Sequence, residues 1–340
     1  MTPRYIVGVE KNYDWGDEIT IRHSMGLPST RGTKIAELWW GTHPQGPAHL
    51  DSRQEQLLSD VTGPMSMLVK LIACAQPLSL QTHPTKQQAE EGFAREEALG
   101  IPRDAPHRVY RDDSDKPEMI VALSHFEALC GFAPIEDSIG FLQSIGWKNE
   151  ARVLSTLGVS GYLEWAMKER KRLSFRRAPE WLQRINKLHR RDPALRIAPL
   201  LNHVVLKPGQ ALSLPAGNLH AYLHGFGLEV MNSSDNVIRA GFTTKHVDVQ
   251  ELLRIVDTST LAHPVVELSS DGTFPSPSPL FTVGNLTTLH RYKDCHRIVC
   301  GYLGDWNSPK YMARYSEVVL VEAGDTTEFP GRDAWVCIQH

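Results

Sequence analysis

The stretch Leu214-Pro215-Ala216-Gly217-Asn218-Leu219-His220-Ala221-Tyr222 decides the fold. A Pro/Gly turn separates two short apolar runs and delivers a histidine at the head of the second. Alternate side chains of an extended chain share a face, so His220, Tyr222 and His224 project one way and Leu219, Ala221 and Leu223 the other. The same texture extends in both directions. Residues 203–206 lead into a Lys207-Pro208-Gly209 turn, residues 210–214 follow it, and residues 228–232 come after Gly225-Phe226-Gly227. Short runs at roughly 8–12-residue spacing with Gly/Pro punctuation predict a sandwich or jelly roll.

Further out the texture changes in blocks. Residues 1 to about 134 are rich in Gly, Pro and short apolar runs, with a helix predicted over 85–99 after Pro84. From Ile135 to about Arg196 the reading is helical: Ile139, Leu142 and Ile145 recur at three-residue spacing, and residues 162–172 contain no Gly or Pro. Residues 168–196 hold eleven Lys/Arg against three Asp/Glu, an excess of +8 set against −11 for the remainder. A solvated helical face explains such a run; a nucleic-acid patch or a positive lid that steers an anionic substrate are the alternatives. Phe274-Pro275-Ser276-Pro277-Ser278-Pro279 reads as a linker or edge connection, and residues 280–340 return to short strands, clearest at 318–321.

The whole chain bounds the function. Its 340 residues carry 36 Lys+Arg and 39 Asp+Glu, 41% apolar and 22% charged residues. That balance describes a globular protein of two or three domain-sized units and argues against disorder, and against nucleic acid or an anionic membrane as the main partner. The longest apolar window, 68–80, contains Lys70 and Gln76 and is too short to span a bilayer. Residues 1–11 lack the apolar core of a signal peptide. Five cysteines, odd in number and without a C-x-x-C, predict reduced thiols and a cytoplasmic location. Fifteen histidines are many for this length.

Four segments carry chemistry. In Leu78-Ser79-Leu80-Gln81-Thr82-His83-Pro84, Gln81 and His83 share a strand face, an arrangement suited to two neighbouring metal ligands. In Asp113-Ser114-Asp115-Lys116-Pro117-Glu118, the proline puts the charged set at a strand entrance. Glu118 then turns inward, as a salt-bridge partner or a ligand. His220 is a ligand or a turn-capping core histidine. The segment Glu229 to Gly241 places two carboxylates and Arg239 among small and apolar residues, where they need a partner or a ligand. Nucleophile-elbow, P-loop, H-E-x-x-H and dinucleotide motifs are absent from the sequence.

Together these segments resemble the type I phosphomannose isomerases of the cupin superfamily. The resemblance rests on Asn12-Tyr13-Asp14-Trp15-Gly16, Glu37-Leu38-Trp39-Trp40-Gly41-Thr42-His43-Pro44, Pro77 through Pro84 with Lys86, and Lys116-Pro117-Glu118. It continues through Pro208-Gly209 to Tyr222, and Ser234-Asp235-Asn236 with Arg239-Ala240-Gly241 and Lys245. It implies a mainly β fold of two cupin-type jelly rolls with an inserted α-helical domain. The units would be residues 1–134 with 197–255 as the catalytic roll, 135–196 as the insertion, and 256–340 as a second roll without metal.

The resemblance also implies one Zn²⁺ held by Gln81, His83, Glu118 and His220, and interconversion of mannose 6-phosphate and fructose 6-phosphate through a cis-enediol. Arg239 would hold the enediolate charge, Lys116 and Glu229 would be the proton-transfer groups, and Lys70 and Ser79 would bind the phosphate. The expected partner is a hexose 6-phosphate, met by a monomer that binds neither nucleic acid nor membrane. Asp115, Thr85 and the Glu229-Val230-Met231-Asn232 run depart from the usual His, Asp and Glu-Cys-Met-Ala, without removing a ligand or Arg239. The competing readings are a non-catalytic metal- or sugar-binding cupin and an iron oxygenase. The first has no need of Lys70, Lys116 and Arg239; the second prefers two histidines and one carboxylate with open positions.

Overall fold

The computed structural model describes residues 4–28, 30–50, 56–289, 291–301, 317–325 and 334–340. The chain is mainly β, with two sheets in which every strand pairing is antiparallel. Parts of the expected C-terminal unit 256–340 lie outside the described residues.

The 11-stranded sheet is organised around the strand His220–Asn232. Residues 225–232 pair with Met67–Cys74 and residues 227–231 with Glu118–Ala122, whereas His220, Ala221, Tyr222 and His224 pair with Phe126–Phe132. Gly225 marks the change of partner: its φ is +130°, and a Cβ there would lie 2.7 Å from the His125 carbonyl. One bent strand therefore serves two parts of the sheet, where the sequence pattern reads as two runs. The curvature encloses an interior lined by Ile72, Ile120, Ala128, Cys130, Leu212 and Tyr222. The opposite faces of the same strands, through Val69, Leu71, Val121, Leu228 and Val230, pack against Val283, Ile298, Leu320 and Trp335 of the second sheet.

That second, seven-stranded sheet joins the C-terminal strands Phe281–Asn285, Arg297–Gly301, Glu317–Val321 and Ala334–Gln339 to Arg4–Val7, His49–Leu50 and Gln56–Leu57. Sheet membership thus departs from the expected 1–134 grouping: Ile6 and Leu50 bury themselves with the C-terminal strands. Pairing with Glu317–Val321 also satisfies backbone groups that the four-residue strand Arg4–Val7 cannot pair alone.

Helices Ile135–Ser144, Lys148–Lys168 and Glu180–Leu188 lie between the strands Phe126–Phe132 and Leu201–Leu206. They cover Leu129, Leu219, Ala221 and Leu223, the outward face that alternation predicts. The expected helix over 162–172 stops at Lys168, where Glu169 turns extended. Helix Lys86–Ala98 starts with a capping box: Thr85 takes the Gln88 N–H, and the Gln88 side chain takes the Thr85 N–H. Among the described residues no helix is long and apolar enough to cross a membrane.

Candidate functional site

The polar site sits at one end of the curved sheet's interior. Glu118 and His220 open their strands on the face that continues to Ile120, Ala122 and Tyr222. His83 follows the short strand Leu80–Thr82, whose Gln81 stands opposite His220 in register.

Backbone carbonyls fix both imidazoles. His83 Nδ1 lies 2.7 Å from the Asn236 carbonyl, and His220 Nδ1 3.0 Å from that of Asn218. A carbonyl only accepts, so each Nδ1 carries the ring proton and each Nε2 presents a lone pair. Those Nε2 atoms point at Glu118, 3.3 Å from Oε1 for His83 and 3.2 Å from Oε2 for His220. The three side chains are each 2% exposed, and both Nε2 atoms and Glu118 Oε2 lack a hydrogen-bond donor. Three electron-pair donors, with ligand atoms within 4.8 Å of one another, converge without a proton between them. This is the one such cluster of His, Cys, Asp and Glu among the described residues. A bound cation resolves the cost of burying these lone pairs, and two imidazoles with a carboxylate suit a borderline divalent metal.

The protonation states agree. Burial pushes the His83 imidazole down to about 4, outweighing the pull of Glu118, so the ring is neutral and ready to ligate. Burial opposes ionisation of Glu118, yet Lys116 holds its carboxyl well below the usual range. Lys116 Nζ is 3.0 Å from Glu118 Oε1 and is itself buried.

A second buried pair lies deeper. Glu229 and Lys70 face each other across adjacent strands, with Nζ 2.9 Å from Oε2. Burial raises the Glu229 carboxyl above its ordinary value. Burial also works against the Lys70 ammonium, but Glu229, with Glu37 and Glu118, raises its pKa and keeps it charged. The Lys70 ammonium also lies 5.1 Å from the Trp39 ring centroid. Lys70→Ala is therefore expected to destabilise the fold by about 3–5 kcal/mol, because an unpaired carboxylate remains buried; urea denaturation checks this.

Arg239 stands opposite Gln81 in register and is half-buried. Asp235, its alternative partner from sequence, is engaged by Gln45 at 2.8 Å and His43 at 3.5 Å. Arg239 has no ion-pair partner among the described residues. Burial and the neighbouring Arg111 lower its pKa, and burial with Arg239 and Arg111 lowers that of Lys245. Among the described residues none of these three cations forms an ion pair, although Glu37 raises the Lys245 pKa from a distance. Ser79 donates to Gln81 Oε1 at 3.0 Å, which sets Ser79 beside Gln81.

Sequence reasoning misses two contributors. Asn236, fully buried, gives its carbonyl to His83 while its side-chain oxygen takes the Arg111 N–H at 2.8 Å, and its amide donates to the Asp112 and Ser114 carbonyls at 2.8 Å each. It joins a ring of the donor cluster to the loop that carries Arg111. Asn236 stands within a quoted motif, but nothing in its spacing announces this; Arg111 carries no signal at all.

The geometry agrees with the comparisons. Residues 5–135 match the family model described as phosphomannose isomerase type I, catalytic domain. The mannose-6-phosphate isomerase of Escherichia coli K12 is 33% identical over 286 residues, spanning 73% of each chain. Mannose-6-phosphate isomerase 1 of Arabidopsis thaliana is 32% identical, over 71% of this chain and 68% of its own. Among solved structures, the Salmonella typhimurium mannose 6-phosphate isomerase bound to fructose 6-phosphate and zinc superposes with a TM-score of 0.79 at 23% identity, over the full length of both chains. A zinc-bound holo form of mannose 6-phosphate isomerase gives the same TM-score at 24% identity, again over both full lengths. With its fold shared over the whole chain and a third of the aligned positions identical to curated relatives that span 73% of it, the chain belongs to the type I phosphomannose isomerases.

Proposed function

We propose that this protein interconverts mannose 6-phosphate and fructose 6-phosphate at a zinc site held by His83, Glu118, His220 and Gln81. The observation that carries the reading is the buried convergence of the two Nε2 atoms and Glu118 Oε2, none of them with a hydrogen-bond partner, while Glu118 Oε1 meets Lys116. Gln81, in register with His220, is the amide-oxygen member of the set. Bound there, zinc supplies a Lewis acid for the oxygens at the reacting end of the open-chain sugar.

The chain's own groups move the proton. Glu229, made more basic by burial, and Lys116 are the proton-transfer pair. A proton leaves C2, the C1–C2 double bond forms and O1 gains a proton. Return of a proton to C1, with loss of the O2 hydrogen, completes the ketose. Arg239, with no carboxylate to neutralise it, holds the enediolate charge.

The resemblance gives the phosphate to Lys70 and Ser79. Since Lys70 is committed to Glu229, we assign the dianion to Arg111 and Lys245, with Ser79 as a hydroxyl donor. Arg111→Ala and Lys245→Ala should each raise KM for mannose 6-phosphate about tenfold and change kcat little, read by steady-state kinetics.

The units are read as a catalytic cupin-type roll built on the 11-stranded sheet, a helical insertion over 135–196, and a metal-free second roll on the seven-stranded sheet. Five free cysteines, four of them buried, support a reducing cytoplasmic setting. The assembly state is read as monomeric, which sedimentation checks.

A coupled assay that follows fructose 6-phosphate formation tests the activity. Saturable sugar-phosphate binding without turnover by the zinc-loaded protein would favour a non-catalytic cupin instead.

Stripped of metal, the protein should lose stability as pH falls from about 6.5 toward 4. In that window an unfolded His83 takes a proton that the folded one, depressed to about 4, refuses, so the unfolded state gains. Thermal melts across that range check it; His83→Gln should flatten the dependence.

A further inference from the structure

We propose that Asn232 is a positioning residue for Lys116, acting together with Asp115 and Ser278, so that the connection leading into the second sheet helps set the proton-transfer geometry. Asn232 ends the strand that carries His220 and Glu229, and it is 2% exposed. Its backbone N–H donates to the Pro117 carbonyl at 3.2 Å, and its side-chain amide donates to Asp115 Oδ1 at 3.1 Å. The two bonds grip the residues on either side of Lys116. Proline fixes φ at 117, so holding its carbonyl and the Asp115 side chain leaves the Lys116 backbone little freedom. The Lys116 ammonium then reaches Glu118 at 3.0 Å.

The orientation of the Asn232 amide follows from chemistry. An ionised Asp115 only accepts, so the NH₂ group must face it and Oδ1 must face away. Oδ1 meets Ser278 Oγ at 2.7 Å. That hydroxyl accepts the Leu280 N–H at 3.0 Å, so its single hydrogen is available to Asn232. Ser278 is 6% exposed and sits in the Pro-Ser-Pro-Ser-Pro connection immediately before the strand Phe281–Asn285 of the second sheet. A polar chain thus runs Leu280 N–H, Ser278, Asn232, Asp115, each buried donor with an acceptor. Such a chain specifies geometry more tightly than apolar packing does. It also explains why Ser278 alone is buried in an otherwise largely exposed run.

The inference rests on Lys116 acting as a proton-transfer group. The test is steady-state kinetics of the zinc-loaded enzyme with mannose 6-phosphate and its C2-deuterated form. Asn232→Ala should lower kcat roughly ten- to a hundredfold, keep KM within about twofold, retain zinc, and enlarge the isotope effect on C2–H cleavage. Asp115→Ala should behave alike and add nothing in the double variant, whereas Asp115→Asn, which keeps an acceptor, should restore most of kcat. Ser278→Ala should show a smaller loss of the same kind. If Asn232→Ala fails to fold, Asp115→Ala and Ser278→Ala carry the test. A lowered Tm with kcat and isotope effect unchanged, while Lys116→Ala is inactive, would overturn the positioning role alone. An unchanged isotope effect and kcat in Lys116→Ala would overturn the Lys116 reading and this inference with it.

Discussion

Replacing Glu118 by glutamine is expected to empty the metal site and lower kcat by about 1000-fold or more. The substitution preserves volume in a fully buried position, so the strand Glu118–Ala122 and its neighbours need not move. It changes the electrostatics completely. The carboxylate carries the negative charge facing the two Nε2 atoms, with Lys116 at its flank. A glutamine NH₂ group pointed at an Nε2 atom would donate a hydrogen bond and satisfy, with a proton, the lone pair that a cation otherwise satisfies. Lys116 would lose its ionic partner in the same step. Elemental analysis should find far less than one zinc per chain, and the melting temperature of the metal-free protein should fall, since the buried Lys116 ammonium is left without its carboxylate. Retention of one zinc per chain with near-normal kcat would contradict this account of the site.

Arg239→Ala is expected to lower kcat about 100- to 1000-fold while leaving the zinc content at one per chain. The separation of the two effects is the point. Arg239 lies across the strand pair from Gln81, close to the donor cluster, but it offers no lone pair to a metal. Its charge has no carboxylate partner among the described residues, since Asp235 is held by Gln45 and His43. A half-buried guanidinium left unneutralised is costly unless it meets an anion during turnover. Arg239→Lys should recover only part of the loss, because an ammonium cannot present a planar pair of donors. Kinetics and metal analysis on the same preparation check both statements; an unchanged kcat would remove Arg239 from the reaction.

What the sequence discloses is what alternation and turns encode. The two faces around His220 follow from period two, and the structure puts Leu219, Ala221 and Leu223 under the helices and Tyr222 in the interior. The Pro84 and Pro117 boundaries follow from the missing N–H of proline, and both donor-bearing segments begin or end there. Histidine abundance is a poor guide: of fifteen, His83 and His220 meet Glu118, and the reason is carbonyl placement by Asn236 and Asn218. Contacts of that kind link residues 153 positions apart for His83 and Asn236, and no local pattern encodes them. The pairing of Arg4–Val7 with Glu317–Val321 is illegible for the same reason. Charge arithmetic also has a limit. Lys70 reads as a free cation in a phosphate enzyme, yet the cross-strand register hands it to Glu229, and near Gln81 the cations without an ion pair among the described residues include Arg111, Arg239 and Lys245. The +8 run at 168–196 is partly spent internally, with Arg196 beside Glu150 and Arg184 on Glu127.

The central claim is that the buried, converging ligands His83, Glu118 and His220 hold the zinc on which sugar-phosphate isomerisation depends. Metal analysis paired with a coupled assay on mannose 6-phosphate, before and after chelation and after zinc is returned, tests it most directly. The account predicts one zinc per chain, loss of turnover on chelation, and recovery on zinc addition. Full turnover by a sample shown to be free of metal would contradict it.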